Sequence, residues 1–340
     1  MKQNYSYIHC LRVVATLAII LLHSATGGIF EEIKLQGNFS PYISLFYKHS
    51  QEWAVPAFVL ISGAIFLSPH KQINYSILFN KYLKRIILAI LVFGLPMTFS
   101  EVLLSEKGAS ITTITFTSII NWLCGHSWAH MWYLYMLIGL YLITPIIKPF
   151  LNQANKKEIQ TALIVMFTIS SILPTLKSYN FQITSYMIIT TPFIFIYMLG
   201  YYLQWRINYD KQFRNKILSI ILLCTSLTSI IVRICYDINL NGYFDPACIL
   251  MAASLFVLFK QYNIKSHIAE RLSPYCFCVY LIHTIFINAS YKILHITPLN
   301  ILGDTSLSIT IPLFFIIFTT LSFTSAFLLT KIPFLKKHVL

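Results

Sequence analysis

Charge is what this sequence has least of. Asp, Glu, Lys and Arg make up 11% of its 340 residues, against about 25% in a soluble globular domain. So thin a supply excludes a large soluble core and points to an integral membrane protein. Acidic side chains are rarer than basic ones, 11 against 25, and the net charge is +14. Such a balance can announce a nucleic-acid partner, but the placement of the cations, given below, assigns it to membrane topology and leaves no nucleic-acid role. Paired cysteines are also missing. The seven thiols are scattered through apolar segments, an odd number with no C-x-x-C, so neither a disulfide framework nor a zinc site is supported. Ten histidines are equally dispersed, with no H-E-x-x-H or similar ligand pattern. No long polar linker, low-complexity tract or repeat divides the chain, so residues 1–340 read as one transmembrane domain.

What is present is apolar length, with 57% hydrophobic and 15% aromatic residues. At about 20 residues per span plus connections, the chain holds about ten helices. The apolar runs place them near 7–25, 52–68, 86–104, 131–150, 159–175, 187–205, 217–235, 245–260, 275–294 and 306–330. A further run, Ile111 to Cys124, is short and Thr-rich and reads as an interfacial or re-entrant helix. The expected class is therefore an all-α, polytopic membrane protein.

Basic residues collect on one side of these spans. Lys71, Lys81, Lys84 and Arg85 follow the second span, Lys148, Lys156 and Lys157 the fourth, and Arg206, Lys211, Arg214 and Lys216 the sixth. Lys260, Lys265 and Arg271 follow the eighth, and Lys2, Arg12, Lys331, Lys336 and Lys337 lie towards the two ends. The opposite connections hold Lys34, Lys48, Lys107, Lys177, Arg233 and Lys292. By the positive-inside rule both termini are expected in the cytoplasm. An even number of spans also requires the first helix to be retained rather than cleaved as a signal peptide. The longest outer loop, about residues 26–51, carries Gly27-Gly28, Glu31, Glu32 and the aromatics Phe39, Tyr42, Phe46 and Tyr47. It is either a plain connection or part of an acceptor surface.

One apolar run is interrupted twice by ionisable groups, in LRVVATLAIILLHS. Arg12 and His23 are eleven residues apart, which is three helical turns plus about 20°, so they share a face about 16 Å apart along the axis. Ala15 and Thr16 fall near the same stripe and admit close helix contact. An ionisable side chain costs about 2.5 kcal/mol or more at the bilayer centre, so two on one face suggest a wet or partnered cavity. The plainer alternative has Arg12 snorkelling to the headgroups and His23 ending the helix.

Three other spans carry polar groups. The second, QEWAVPAFVLISGAIFL, has Glu52 at its outer end, Pro56 to bend it and Ser62-Gly63 deep inside. Ser62 and Gly63 suit tight helix packing, and Glu52 at an interface can be solvated. The fourth opens with GHSWAHMWYLYM, where His126 and His130 are expected on one helix face. A metal pair there lacks a third ligand in sequence. Trp128, Trp132 and Tyr133 suit an aromatic belt or, alternatively, stacking on a sugar ring. The ninth, SPYCFCVYLIHTIF, starts at Ser273-Pro274 and sets Tyr280 three residues before His283, close enough for a mutual hydrogen bond or a packing pair.

The Arg12-x10-His23 spacing, the VP-x-F-x-x-x-SG of Val55 to Gly63, the HMWYL of His130 to Leu134 with Pro145 beyond it, and the YLIH of Tyr280 to His283 occur in that order. Together they resemble the acyltransferase-3 family of bacterial inner-membrane enzymes, especially single-domain members that O-acetylate surface polysaccharides. The resemblance implies a ten-helix bundle that takes an acyl group from cytoplasmic acetyl-CoA or another acyl-CoA. It implies delivery to a hydroxyl of a surface polysaccharide or lipid-linked glycan across the membrane, with no bound cofactor. His23 matches the family's catalytic histidine and Arg12 the arginine that engages the CoA end of the donor. Lys84 and Arg85 are expected to back Arg12 at the cytoplasmic end. Glu52, Ser62, His130, Trp132, Tyr133, Tyr280 and His283 are expected on the acceptor side or in support. Ala57-Phe58, Gly63-Ala64 and Glu52 depart from the family's usual Phe-Phe, Gly-Tyr and Arg, and leave the Arg12/His23 pair intact. No SGNH-type hydrolase-like domain is expected after the last helix.

The chemistry of the residues agrees with that expectation. Attack of an alcohol on a thioester needs its proton removed, and imidazole, with an unperturbed pKa of about 6.5, is the usual base near neutrality. An arginine suits the phosphates of CoA. The competing class is a polysaccharide transporter or export component, which is expected to carry an internal repeat with paired broken helices, and no such repeat is found.

Overall fold

The structure, a computed structural model, describes residues 5–26, 42–106, 108–128, 130–179, 192–236, 238, 242–302 and 307–340. Every regular element among them is helical. The principal helices are α1 (Ser6–Thr26), α2 (Tyr42–His49), α3 (Ala54–Phe66), α4 (Tyr75–Ser105), α5 (Ile111–Leu123), α6 (Trp132–Gln153) and α7 (Lys156–Leu176). They continue with α8 (Pro192–Trp205), α9 (Gln212–Cys235), α10 (Pro246–Gln261), α11 (His267–Ile293), α12 (Leu307–Leu329) and α13 (Pro333–His338). Seven helices among the described residues, α1, α4, α6, α7, α9, α11 and α12, are long and apolar enough to cross a membrane.

A helix lies at each of the ten expected positions, although α3, α8 and α10 have only 13, 14 and 16 residues. At about 1.5 Å per residue these are shorter than the roughly 30 Å of a hydrocarbon core. They sit inside the bundle, where Leu60, Ile196, Tyr197, Tyr201 and Phe256 are wholly buried. A helix flanked by protein has no lipid thickness to match. Of the outer loop, Gly27, Gly28, Glu31, Glu32 and Phe39 lie outside the described residues, while Tyr42, Phe46 and Tyr47 fall on the short helix α2.

Helix α1 is the most enclosed of the seven. It packs against α2, α3, α10, α11 and α12. Its far end is fixed where Ser44 donates to the Ala25 carbonyl at 2.7 Å and Tyr291 to the Ser24 carbonyl at 2.8 Å. The tightest helix contact is α3 on α8. A Cβ placed on Gly63 would fall 1.9 Å from the Tyr197 carbonyl oxygen, and one on Gly200 would fall 2.1 Å from that of Leu60. The two glycines therefore let each backbone settle against the other, the small-residue mode of membrane helix packing. This bears out the packing reading of Gly63.

Two details of the sequence reading need correction. Pro56 lies in the first turn of α3, where its missing N–H breaks no helical bond, so it starts the helix rather than bending it. The ninth helix begins at His267 behind the Ser266 N-cap, and Ser273-Pro274 forms a 3₁₀ turn within it. Of the four wide turns of π type among the described residues, at 78–83 and 90–94 in α4, 168–172 in α7 and 289–293 in α11, those at 90–94 and 168–172 have a proline cause. Each of these two contains the residue four before a proline, Pro96 or Pro174, where the ring blocks the regular bond and the backbone must widen.

Gly63→Val or Gly200→Val should cost at least about 1–3 kcal/mol through overpacking against backbone, read as a lower thermal midpoint in detergent. Gly139→Ala in α6, with nothing within 4 Å of the added carbon, should leave the midpoint unchanged or raise it.

Candidate functional site

Positions 12, 19 and 23 of α1, one stripe at helical spacing, open onto a cavity of about 550 Å³. Its wall also includes Ser62 and Phe58 from α3, Tyr82 and Arg85 from α4, Trp132, Tyr133 and Tyr141 from α6, and Tyr280 from α11. The Arg12 guanidinium donates to Ser273 Oγ at 3.2 Å, and that hydroxyl also meets His9 Nδ1 at 2.8 Å. Arg85 donates through Nε to the Val339 carbonyl at 3.1 Å and stands over the Phe277 ring. The Arg12 end of the cavity is thus cationic and the middle aromatic. Arg12 is thus part of the cavity wall, half-buried and bonded to Ser273.

A second cavity, about 580 Å³, lies beyond His23. His23 and His130 line both cavities, so these imidazoles stand between the two spaces. His283 stands behind them, with ring centroids 5.3 Å from His23 and 5.2 Å from His130. Hydrogen bonds sort the rings. His283 Nδ1 faces the carbonyls of Tyr280 at 2.8 Å and Val279 at 3.1 Å, which only accept, so Nδ1 carries the proton. Its Nε2 is buried without a partner among the described residues. His130 donates from Nε2 to the Leu281 carbonyl at 3.3 Å, which leaves Nδ1 to accept from Thr284 Oγ1 at 3.1 Å. His130 is therefore fully engaged. The His23 imidazole makes no hydrogen bond among the described residues and keeps both nitrogens for a ligand.

His130 lies on the short connection between α5 and α6. Tyr135 donates to the Trp122 carbonyl at 2.7 Å, and Trp122 donates to the Ile90 carbonyl at 3.1 Å, which ties α5 to α6 and α4. Gly125, at a φ of 77°, supplies the left-handed turn between them. His126 and His130 accordingly sit on this connection and not on a helix face, because α6 starts only at Trp132. Both still line the second cavity. Among the described residues no group of three or more His, Cys, Asp or Glu could hold a metal ion.

The remaining expected residues fall as follows. Trp132 and Tyr133 form cavity wall, so they are not a lipid-facing belt; Trp132 stacks on Tyr243 at 5.6 Å and Tyr133 meets Tyr280 edge-on at 5.7 Å. The expected Tyr280–His283 side-chain bond is replaced, since Tyr280 donates to the His130 carbonyl. His283 is in the histidine group but not on the wall of either cavity. Lys84 is exposed and stands outside both cavities. Glu52 is 4% exposed rather than solvated, bonded to His49 at 2.9 Å with the Cys248 thiol at 3.9 Å. It lies behind the wall beside Tyr243. The sequence does not mark Tyr82, Tyr141 and Tyr243 as wall residues, because tyrosine is common throughout the chain and nothing in their spacing singles them out, and Ser273 reads there only as a helix start.

The features together define a polytopic membrane protein with two cavities that share a histidine unpartnered among the described residues. A family model described as an acyltransferase domain, that of acyltransferase-3, matches residues 5–331, and the chain belongs to that family. It is thus a membrane acyltransferase by family. No curated protein and no solved structure matches it.

Thr284→Val should leave the buried Nδ1 of His130 without its donor at a cost of about 1–3 kcal/mol. A drop in thermal midpoint for Thr284→Val, but not for Thr284→Ser, would be the signature.

Proposed function

We propose that this protein is an O-acyltransferase of the bacterial inner membrane, with ten spans and both termini cytoplasmic. It moves an acetyl group from acetyl-CoA, or another acyl group from its CoA thioester, to a hydroxyl of a surface polysaccharide or lipid-linked glycan. The observation that carries this reading is the position of His23, whose free imidazole faces two cavities at once. In this reading CoA lies in the first cavity, its phosphates towards Arg12 and Arg85, with Lys84 outside adding only long-range attraction. The pantetheine arm runs along the aromatic wall, and the thioester reaches His23. The imidazole takes the proton of the glycan hydroxyl as that oxygen attacks the thioester carbon, and CoA leaves as its thiol. A two-step route, in which His23 first accepts the acyl group and then yields it, uses the same geometry and is distinguished by trapping an acyl-histidine.

His23→Ala should lower transfer by about 10²–10⁴-fold, the usual value of a positioned base, with the thermal midpoint unchanged. Export of glycan that survives His23→Ala with no acyl-CoA consumed would replace this reading with transport. Arg12→Ala should weaken acetyl-CoA binding by about 10- to 100-fold, the loss of charge-assisted hydrogen bonds, and slow the bound-state step far less. Equal Kd values for the two proteins, by calorimetry in nanodiscs, would refute the assignment.

A further inference from the structure

The second cavity differs in chemistry from the first. Among the described residues it has no unpaired lysine or arginine: its Lys292 and Glu101 bond each other at 2.7 and 3.0 Å. Such a pair offers a bound molecule little net charge. The cavity's other polar groups are amide, hydroxyl, imidazole and indole. The side chains of Asn121, His126 and Trp128 make no hydrogen bond among the described residues. Asn288 uses one amide hydrogen on the Thr284 carbonyl at 2.9 Å, which leaves its own side-chain oxygen open. A side-chain amide holds donor and acceptor side by side, the arrangement that matches neighbouring hydroxyls on a ring. An indole adds a flat apolar face for ring C–H groups. The volume, about 580 Å³, lies within the ordinary range for small-molecule sites.

We propose that this second cavity is the acceptor chamber and that it takes an uncharged pyranose unit, held by Asn121 and Asn288 and stacked on Trp128, with one hydroxyl directed at His23. The proposal rests on the acyl-transfer reading for what happens next, but not for the binding itself. It divides the two cavities by charge. Arginines meet the phosphates of the donor on one side, and a neutral polar chamber meets the sugar on the other. Because the lining of the two cavities has only His23 and His130 in common, each substrate reaches the imidazole from its own side. Apart from His23 and His130, no residue of the chamber needs to contact CoA.

The test uses the full chain in nanodiscs and a methyl glycopyranoside carrying a diazirine, photolysed and mapped by peptide mass. Label is expected on the segments holding Asn121 to Trp128 and Thr284 to Lys292, and plain methyl glycopyranoside should suppress it. Label confined to other segments, or label that the plain sugar does not suppress, would overturn the proposal. A methyl uronoside should compete about tenfold less well, and equal or better competition would overturn the claim of an uncharged ligand. In steady-state transfer to methyl glycopyranoside, Asn121→Leu and Asn288→Leu should each raise the acceptor KM by about tenfold, with acetyl-CoA Kd within about twofold of wild type. An unchanged KM in both variants would overturn the assignment. Competed label in the chamber without any acetyl transfer by the wild type would keep the chamber and remove the acyltransferase reading. Transfer without label there would do the reverse.

Discussion

A guanidinium and an imidazole on one face of an apolar helix cannot both be left to lipid, and the bundle is arranged around that constraint. Helix α1 is enclosed on several sides, yet the stripe through positions 12, 19 and 23 remains open to internal space. Burying the pair in close-packed apolar protein would cost several kcal/mol per uncompensated charge. The fold avoids this by surrounding the stripe with tyrosine, tryptophan and serine, residues that present both apolar bodies and polar tips. The glycine contact between α3 and α8 belongs to the same arrangement. It draws one wall helix hard against its neighbour and so fixes the positions of Phe58 and Ser62 across from α1.

Hydrogen bonding then makes three adjacent imidazoles unequal. His130 is held at both nitrogens and His283 at one, while His23 is left uncommitted at the junction. Rings that are locked by neighbours support a reactive one better than rings free to rotate, because supporting geometry must hold within a few tenths of an ångström. Glu52 and Tyr243 play a comparable part on the far wall, where the buried carboxylate is bonded to His49 and the phenol stacks on Trp132.

The sequence was most informative where spacing alone carries meaning. Eleven residues between Arg12 and His23 predict a common face, and the two do line one cavity. Apolar runs located the principal helices except α2 and α13, which are short. Local rules failed where tertiary context decided the outcome. Pro56 looks like a bend in sequence because composition does not fix its distance from the helix start. Trp132 and Tyr133 suit an interface equally well, since a tryptophan facing lipid and one facing a cavity look alike in sequence. Nothing in the sequence marks Glu52 as buried, because its partner His49 sits on a separate short helix. The second cavity was invisible for a related reason. Asn121, Trp128 and Asn288 come from distant segments, each unremarkable alone, and only the fold brings them together.

The reciprocal glycine contact also bears on biogenesis. Gly63 leaves the ribosome well ahead of Gly200, and at about 5–20 residues per second the interval is on the order of ten seconds. Throughout that time the groove on α3 has no helix to receive, so acyl chains or the insertion machinery must occupy it. The close contact of α3 with α8 consequently forms only after α4, α6 and α7 have been made.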